Sequence, residues 1–347
     1  KHLDTLKQLI PVSEQSALLS HIKRIINHLE TLLDGCFLLG ELSPRTADTI
    51  LSFGELLSSF IIAEALKQNL KSTNYKDSRE LIKTNATFGK ASVNFEVSNR
   101  LIQDYFATNT SKVVLLPGFI GATEDGITTT LGRGGSDYSA AILASALATE
   151  ELEIWTDVNG MYTANPKLVK QAQPIATISY QEAMELSHFG AKVLYPPTIQ
   201  PVLRKNIPIL IKNTFEPEAE GTFISNTIGA NGSPVKGISH IDNITLITLE
   251  GSGMIGVAGS SKRLFEVLSN ESINVIFITQ ASSEHSICIG ILNSDAENAE
   301  IAINKAFEIE ITQNKVEPCI VEKNLCIIAL VGENMKNHQG LSGRMFS

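Results

Sequence analysis

Between residues 16 and 33 the string SALLSHIKRIINHLETLL places Leu18, Leu19, Ile22, Ile25, Ile26, Leu29, Leu32 and Leu33 three and four positions apart. That spacing lines one helical face and predicts an amphipathic helix, ended by Asp34 and Gly35. Downstream the pattern alternates between the two periods. It predicts a helix near 46–68, a strand at KVVLLPG, a helix over 136–149, a strand at LEIWTDV, a helix over 179–189 and a strand at IPILIKNTF. Ser179 and Glu182 form an S-x-x-E capping box, which marks a helix start. Helices alternating with strands in this way predict an α/β layer built on a mainly parallel sheet.

Residues 226–236, NTIGANGSPVK, are rich in Gly, Asn and Ser and lack apolar periodicity, so a domain boundary is expected there. Beyond it the chain reads strand (NITLITLE), helix (SKRLFEVLSNES), strand (NVIFITQ), strand (SICIGIL), helix (AENAEIAINKAFEI), strand (VEPCIVE), a ferredoxin-like βαββαβ unit. At its first turn, LEGSGMIGVAG carries the G-x-G-x-x-G spacing of a dinucleotide site at Gly251, Gly253 and Gly256. Two features argue against that use. NVIFITQ and SICIGIL are separated only by ASSEH and should pair as a hairpin, and Gln280 stands where the ribose-binding acid belongs. The glycines are better read as a tight strand-to-helix turn that permits close backbone approach. From residue 324 the tail repeats strand, turn and helix start, so the expected domains are 1–230, 231–323 and the opening of a second such unit at 324–347.

Composition narrows the classes. The 347 residues are 43% hydrophobic and 19% charged, with a net charge of -9. An acidic surface without a basic patch speaks against nucleic acid and anionic membranes as partners. Runs such as LCIIALVG fall short of the roughly 20 apolar residues of a spanning helix. The four cysteines are scattered, with no C-x-x-C pair, and the N-terminus has no signal-like pattern, so reduced thiols and a cytoplasmic address are expected. The seven His and four Cys show no metal-ligand spacing.

The strongest chemical signal is TTTLGRGGSDYSAAILASALA, residues 128–148. A glycine-rich turn leads through Ser136 and Asp137 into a small-residue helix, with Arg133 beside it. Converging backbone N–H groups, a helix N-terminus and a guanidinium together suit an anion. The lysine of a P-loop is absent.

LSFGELLSS, LGRGGSDYSAA, WTDVNGMYTANPKL and FGAKVLYPP occur in that order, and together they resemble the aspartokinases of the amino acid kinase family. The resemblance runs over nearly the whole chain, with the small units similar to regulatory ACT domains and the tail VGENMKNHQGLSGRMFS similar to bifunctional members that continue into homoserine dehydrogenase. It implies an amino acid kinase-like three-layer sandwich followed by ACT units, and ATP-dependent phosphorylation of the L-aspartate side-chain carboxylate. Glu55 would then take the substrate ammonium, and Arg133, Gly134, Gly135 and Ser136 the α-carboxylate. Asp137 and Lys192 would organise the reacting groups, while Thr156, Asp157, Tyr162, Lys167, Lys192 and Val193 would face ATP, with Mg²⁺ carried on the phosphates. Glu55 is read in a tight turn between apolar neighbours, where an unpaired charge is costly, and Trp155 as a core residue.

Two departures weaken the match. Asn165 and Lys167 stand where members often carry Asp and Arg, replacing a planar two-pronged phosphate contact by a point charge. Members also open with a strand bearing Lys-Phe-Gly-Gly-Thr-Ser, whose lysine lies on the transferring phosphate, and Lys1 is downstream of that string. Two alternatives stay open: a kinase for another acceptor, as in acetylglutamate or carbamate kinases, and an amino-acid-sensing subunit without activity. For regulation, Gln280 with Gly251, Ser252, Gly253 and Met254 is the expected effector site, for threonine first and lysine second. ACT units of this kind imply a homodimer or a higher homo-oligomer.

Overall fold

The computed structural model describes residues 1–188, 194–226, 234–255, 259–280, 285–333, 335 and 338–347. The chain divides into two compact units, Lys1–Lys236 with Gly332–Ser347, and Gly237–Val331.

The first unit begins with three helices, α1 (His2–Leu9), α2 (Val12–Leu39) and α3 (Pro44–Asn69). They share a core of Leu6, Ile10, Ile22, Leu57 and Ile61. Asp34 and Gly35 do not end α2. A glycine inside a helix costs only about 1 kcal/mol, and the helix runs on to Gly40, whose φ of 64° supplies the left-handed stop. α3 starts where its sequence provides a cap, with Ser43 Oγ accepting the Thr46 N–H and Pro44 in the first turn. By length and composition α3 could cross a membrane. Here it buries Phe53, Leu56, Leu57, Ile61 and Ala63 and packs on α1, α2 and two strands, β1 (Thr73–Tyr75) and β4 (Thr128–Thr130).

Helix α4 (Phe95–Thr108), capped by Asn94, packs on α5 (Gly135–Leu147) around Leu81, Ile102, Leu131 and Ile142. β1 pairs in parallel with β2 (Val113–Leu115), and β3 (Ile120–Ala122) forms an antiparallel pair with β4. A four-stranded sheet has the order β5 (Leu152–Thr156), β7 (Ile209–Asn213), β8 (Thr222–Ser225), β6 (Thr177–Ser179). Its outer pairs β5–β7 and β6–β8 are parallel and the central β7–β8 pair is antiparallel. Helices α6 (Tyr180–His188) and α7 (Pro196–Leu203) follow β6 in sequence; α6 packs on β6 and β8, and α7 on α5.

The S-x-x-E box forms as read. Ser179 N–H donates to Glu182 Oε2 at 3.2 Å, and Glu182 N–H donates to Ser179 Oγ at 3.0 Å. The same box holds the segment after Val331, because Ser179 Oγ donates to Glu333 Oε1 and Glu333 N–H donates to Glu182 Oε1.

The second unit is a sheet of order β10 (Phe277–Gln280), β11 (Ser286–Leu292), β9 (Gly237–Glu250), β12 (Ile320–Val331), antiparallel throughout. Helices α8 (Ser260–Asn270) and α9 (Ala296–Ala306), with the short α10 (Glu308–Thr312), complete it. Ile247, Leu249, Leu264, Ile287, Ile289 and Ile303 belong to its core. This is the βαββαβ plait expected from the sequence, and β10 and β11 pair as the antiparallel hairpin that excludes a dinucleotide crossover.

One reading changes. The strands expected at 316–322 and after 324 are a single strand, because Asn324 (φ 62°) forms an irregularity instead of a break and β9 is long enough to pair on both sides of it. A last helix, α11 (Leu341–Phe346), ends the chain.

Candidate active site

The turn Gly132–Gly135 shows why glycine is needed at the start of α5. Gly134 caps the helix at φ 68°, and a Cβ there would lie 2.7 Å from the Tyr195 Cβ. A Cβ on Gly135 would lie 2.7 Å from the Phe119 Cδ2. No side chain caps α5; the Gly135 N–H donates to the Gly132 carbonyl at 3.1 Å, and the N–H groups that follow it in the first turn face an end of positive dipole suited to an anion.

These residues line a cleft of about 370 Å³ with Glu55, Phe119, Gly132, Ser136 and Asp137. Burial raises the carboxyl pKa of both Glu55 and Asp137 above the ordinary carboxylate range. Two carboxylates that ionise reluctantly beside a helix N-terminus make a site that wants a cationic group next to an anionic one.

Glu55 is not in a tight turn. It sits in the middle of α3, where Gly54 has nothing within 4 Å of a built Cβ and is tolerated as a helical residue. Ser58 and Ser59 hydroxyls donate to its carbonyl at 3.3 and 2.5 Å. Arg133 is exposed and is not among the lining residues of the cleft; its guanidinium lies over the Tyr195 ring, 5.9 Å from the centroid.

Asp48 was not singled out by the sequence, yet it braces the site. Its carboxylate is 1% exposed. It accepts the Gly89 N–H at 2.9 and 3.0 Å, the Thr130 N–H at 2.9 Å and the Thr130 hydroxyl at 2.8 Å. α3 is thereby tied to the strand that leads, two residues later, into Gly132. Phe119 was missed too, although PGF before an apolar run is a turn signal.

On the expected nucleotide side, Thr156 and Asp157 stand at the carboxyl end of β5, with the Thr156 hydroxyl on Asp157 Oδ1 at 3.2 Å. Tyr162 is half-buried and bridges Pro174, and Lys167 is exposed with its N–H on Asn165 Oδ1 at 3.0 Å. Trp155 is not a core residue. It is 46% exposed because β5 is an edge strand whose alternation turns Leu152 and Ile154 inward and Glu153 and Trp155 outward. Its Nε1–H donates to Glu153 at 2.8 Å, and Lys212 Nζ lies 5.4 Å from its ring. Lys192, Val193 and Gly256 lie outside the described residues.

In the second unit, Gln280 is exposed at the end of the edge strand β10. The close neighbour that Gly251 and Gly253 admit is the chain's own backbone. A Cβ would lie 2.3 Å from the Lys315 carbonyl at Gly251 and 2.9 Å from it at Gly253, and Gly253 N–H donates to that carbonyl at 2.8 Å. Ser252 begins a short turn of helix, and Met254 is 3% exposed within the core.

Comparison with known proteins gives the family. The amino acid kinase family matches residues 10–213 and an ACT domain matches 247–307. Bifunctional aspartokinase/homoserine dehydrogenase 1 of Arabidopsis thaliana is 35% identical over all of this chain, which spans 39% of that protein's length. Lysine-sensitive aspartokinase 3 of Escherichia coli K12 is 32% identical over 94% of the chain and 71% of its own length. The crystal structure of E. coli aspartokinase III with aspartate and ADP superposes with a TM-score of 0.80 at 30% identity, covering 98% of this chain and 74% of that one. The same enzyme with lysine and aspartate gives 0.73 at 29% identity, covering 95% and 78%. The chain belongs to the amino acid kinase family, within its aspartokinases, and carries an ACT domain.

Proposed function

We propose that this chain is the kinase part of an aspartate kinase, phosphorylating the side-chain carboxylate of L-aspartate with ATP to give 4-phospho-L-aspartate, the first step toward lysine, threonine and methionine. The observation that carries the reading is the cleft, where Glu55 and Asp137 lie beside the uncapped start of α5. That arrangement suits a zwitterion. Glu55 takes the ammonium; the Gly134, Gly135 and Ser136 N–H groups, reached also by Arg133, take the α-carboxylate. A side-chain carboxylate with a pKa of about 3.9 is already ionised at neutral pH, so the nucleophile needs no general base. What the site must supply is charge cancellation and alignment.

Asp137 and Lys192 organise the reacting groups in this reading, with Thr156, Asp157, Tyr162, Lys167 and Val193 toward the nucleotide. ATP supplies the phosphoryl group, with Mg²⁺ on its phosphates. In support, Thr156 and Asp157 present polar groups at the carboxyl end of a parallel-paired strand.

Regulation is proposed through the ACT domain, at Gln280 and the 251–254 turn, by threonine first and lysine second. The E. coli enzyme crystallised with lysine supports the second choice. A homodimer or higher homo-oligomer in the cytoplasm completes the proposal.

The test is a coupled assay of ADP formation by the full-length protein with L-aspartate or N-acetyl-L-glutamate. Turnover with aspartate alone is expected, since acetylation removes the ammonium that Glu55 would hold. Turnover with N-acetyl-L-glutamate alone would move the chain to another acceptor, and turnover with neither would favour a purely regulatory role.

A further inference from the structure

Gly118, Phe119 and Ile120 form a three-residue turn. The Ile120 N–H donates to the Gly118 carbonyl at 2.8 Å, and the central Phe119 has φ 69°. A γ-turn of positive φ is rare and strained, and a bulky aromatic at its centre is a backbone outlier. Such a conformation persists only where the surroundings over-determine it.

Here they do. The Phe119 N–H donates to Ser139 Oγ at 3.0 Å, and the same hydroxyl donates to the Gly135 carbonyl at 2.9 Å. The Phe119 carbonyl accepts the Leu131 N–H at 2.9 Å. A Cβ on Gly118 would lie 2.9 Å from the Ser136 Cα, so the turn lies flat on the first turn of α5. The Phe119 ring in turn occupies the space that a Gly135 side chain would need.

The strain serves no helix and no long strand. It brings the ring to the cleft, where every other lining residue is a glycine, a serine or a carboxylate. Those groups suit the charged ends of an amino acid. The ring alone offers an apolar wall to the methylene stem between them.

We propose that Phe119 gauges the length of the acceptor, admitting the single side-chain methylene of aspartate and excluding the second methylene of glutamate. An aromatic wall pinned on its far side by Gly135 cannot yield without moving α5, and a rigid apolar wall discriminates one methylene by about 10- to 200-fold. This inference rests on the aspartate kinase reading for its substrate class.

The experiment compares kcat/KM for L-aspartate and L-glutamate as phosphoryl acceptors in the full-length protein and in Phe119→Ala, Phe119→Gly and Phe119→Leu. Glycine accepts φ 69° without strain, so Phe119→Gly removes the ring while sparing the fold. The aspartate-to-glutamate ratio is expected to fall at least about tenfold in the Ala and Gly variants and to stay within about threefold of the parent in Leu. A ratio unchanged in both the Ala and Gly variants would overturn the proposal, as would a Leu variant that loses as much as Gly. If the parent phosphorylates neither acceptor, the kinase reading fails on its own, and calorimetric affinities of aspartate and glutamate for the same four proteins decide the gauge by the same ratio.

Discussion

Asp48 offers the sharpest test of how the cleft is held together. Its two oxygens serve three donors within 3.0 Å, the buried Thr130 N–H and Thr130 hydroxyl and the N–H of the exposed Gly89. In Asp48→Asn one oxygen can still serve the two N–H groups while the new amide donates to the threonine hydroxyl. What is lost is the charge on two hydrogen bonds, at about 1 kcal/mol each from the difference between charged and neutral bonds, so a loss of about 2 kcal/mol is expected. Asp48→Ala leaves the two buried Thr130 donors without a partner, at about 1–3 kcal/mol apiece, while the Gly89 N–H can turn to water, and relief from burying the carboxylate offsets only part of that. A loss of about 2–4 kcal/mol is therefore expected for Ala. Trp155 is the sole tryptophan and lies in the first unit, so urea unfolding followed by its fluorescence reports that unit alone. An Asp48→Ala variant within about 0.5 kcal/mol of the parent, the range of ordinary surface changes, would refute the bracing role.

Arg133→Ala should raise the aspartate requirement about 10- to 100-fold while leaving ATP affinity near that of the parent, by loss of one charge-assisted contact; calorimetry showing the reverse would exchange the two ligands. Gln280→Ala should leave uninhibited turnover intact and weaken threonine inhibition at least about tenfold, and an unchanged inhibition curve would remove Gln280 from the effector site. Gly251→Ala places a methyl 2.3 Å from the Lys315 carbonyl, a clash expected to cost the second unit about 1–3 kcal/mol and to appear as faster hydrogen exchange across β9–β12; parent-like exchange would refute it. Burial raises the Glu55 pKa above 4.5, so Glu55 adds stability at low pH that is lost as pH rises through its folded pKa. A ligand ammonium favours the ionised form, so aspartate binding should release protons and weaken as pH falls toward 4.5. Calorimetry in two buffers of unlike ionisation enthalpy reads the release, and its persistence in Glu55→Gln would assign it elsewhere.

What the sequence made legible was local. The Ser179–Glu182 box, the β10–β11 hairpin and the glycine turn into α5 are each written within a dozen residues, and each formed. The signals of α4 were equally local, an Asn94 cap followed by Val97, Leu101 and Ile102 at helical spacing, and could have been read. Asp48 could not. Its partners lie 41 and 82 positions away, and no short pattern announces a carboxylate whose neighbours arrive from two other segments. Trp155 went wrong for a similar reason. Alternation in LEIWT showed two faces, but which face meets water depends on the sheet order that leaves β5 at an edge.

The placement of Arg133 follows the same logic at the level of charge. A receptor for a zwitterion fails if its own cation and anion pair with each other, because the ligand must then break that pair before it binds. Among the described residues no ion pair joins Arg133 to Glu55 or Asp137. The left-handed Gly134 has no room for a side chain because Tyr195 presses against it, and that ring lies under the guanidinium. The glycine that opens the helix terminus to an anion thus also admits the aromatic surface on which the neighbouring arginine rests. Among the described residues the cleft keeps its carboxylates out of ion pairs and its helix start free of a side-chain cap, and in the proposed function the ammonium and carboxylate of the acceptor would supply the partners that each side lacks.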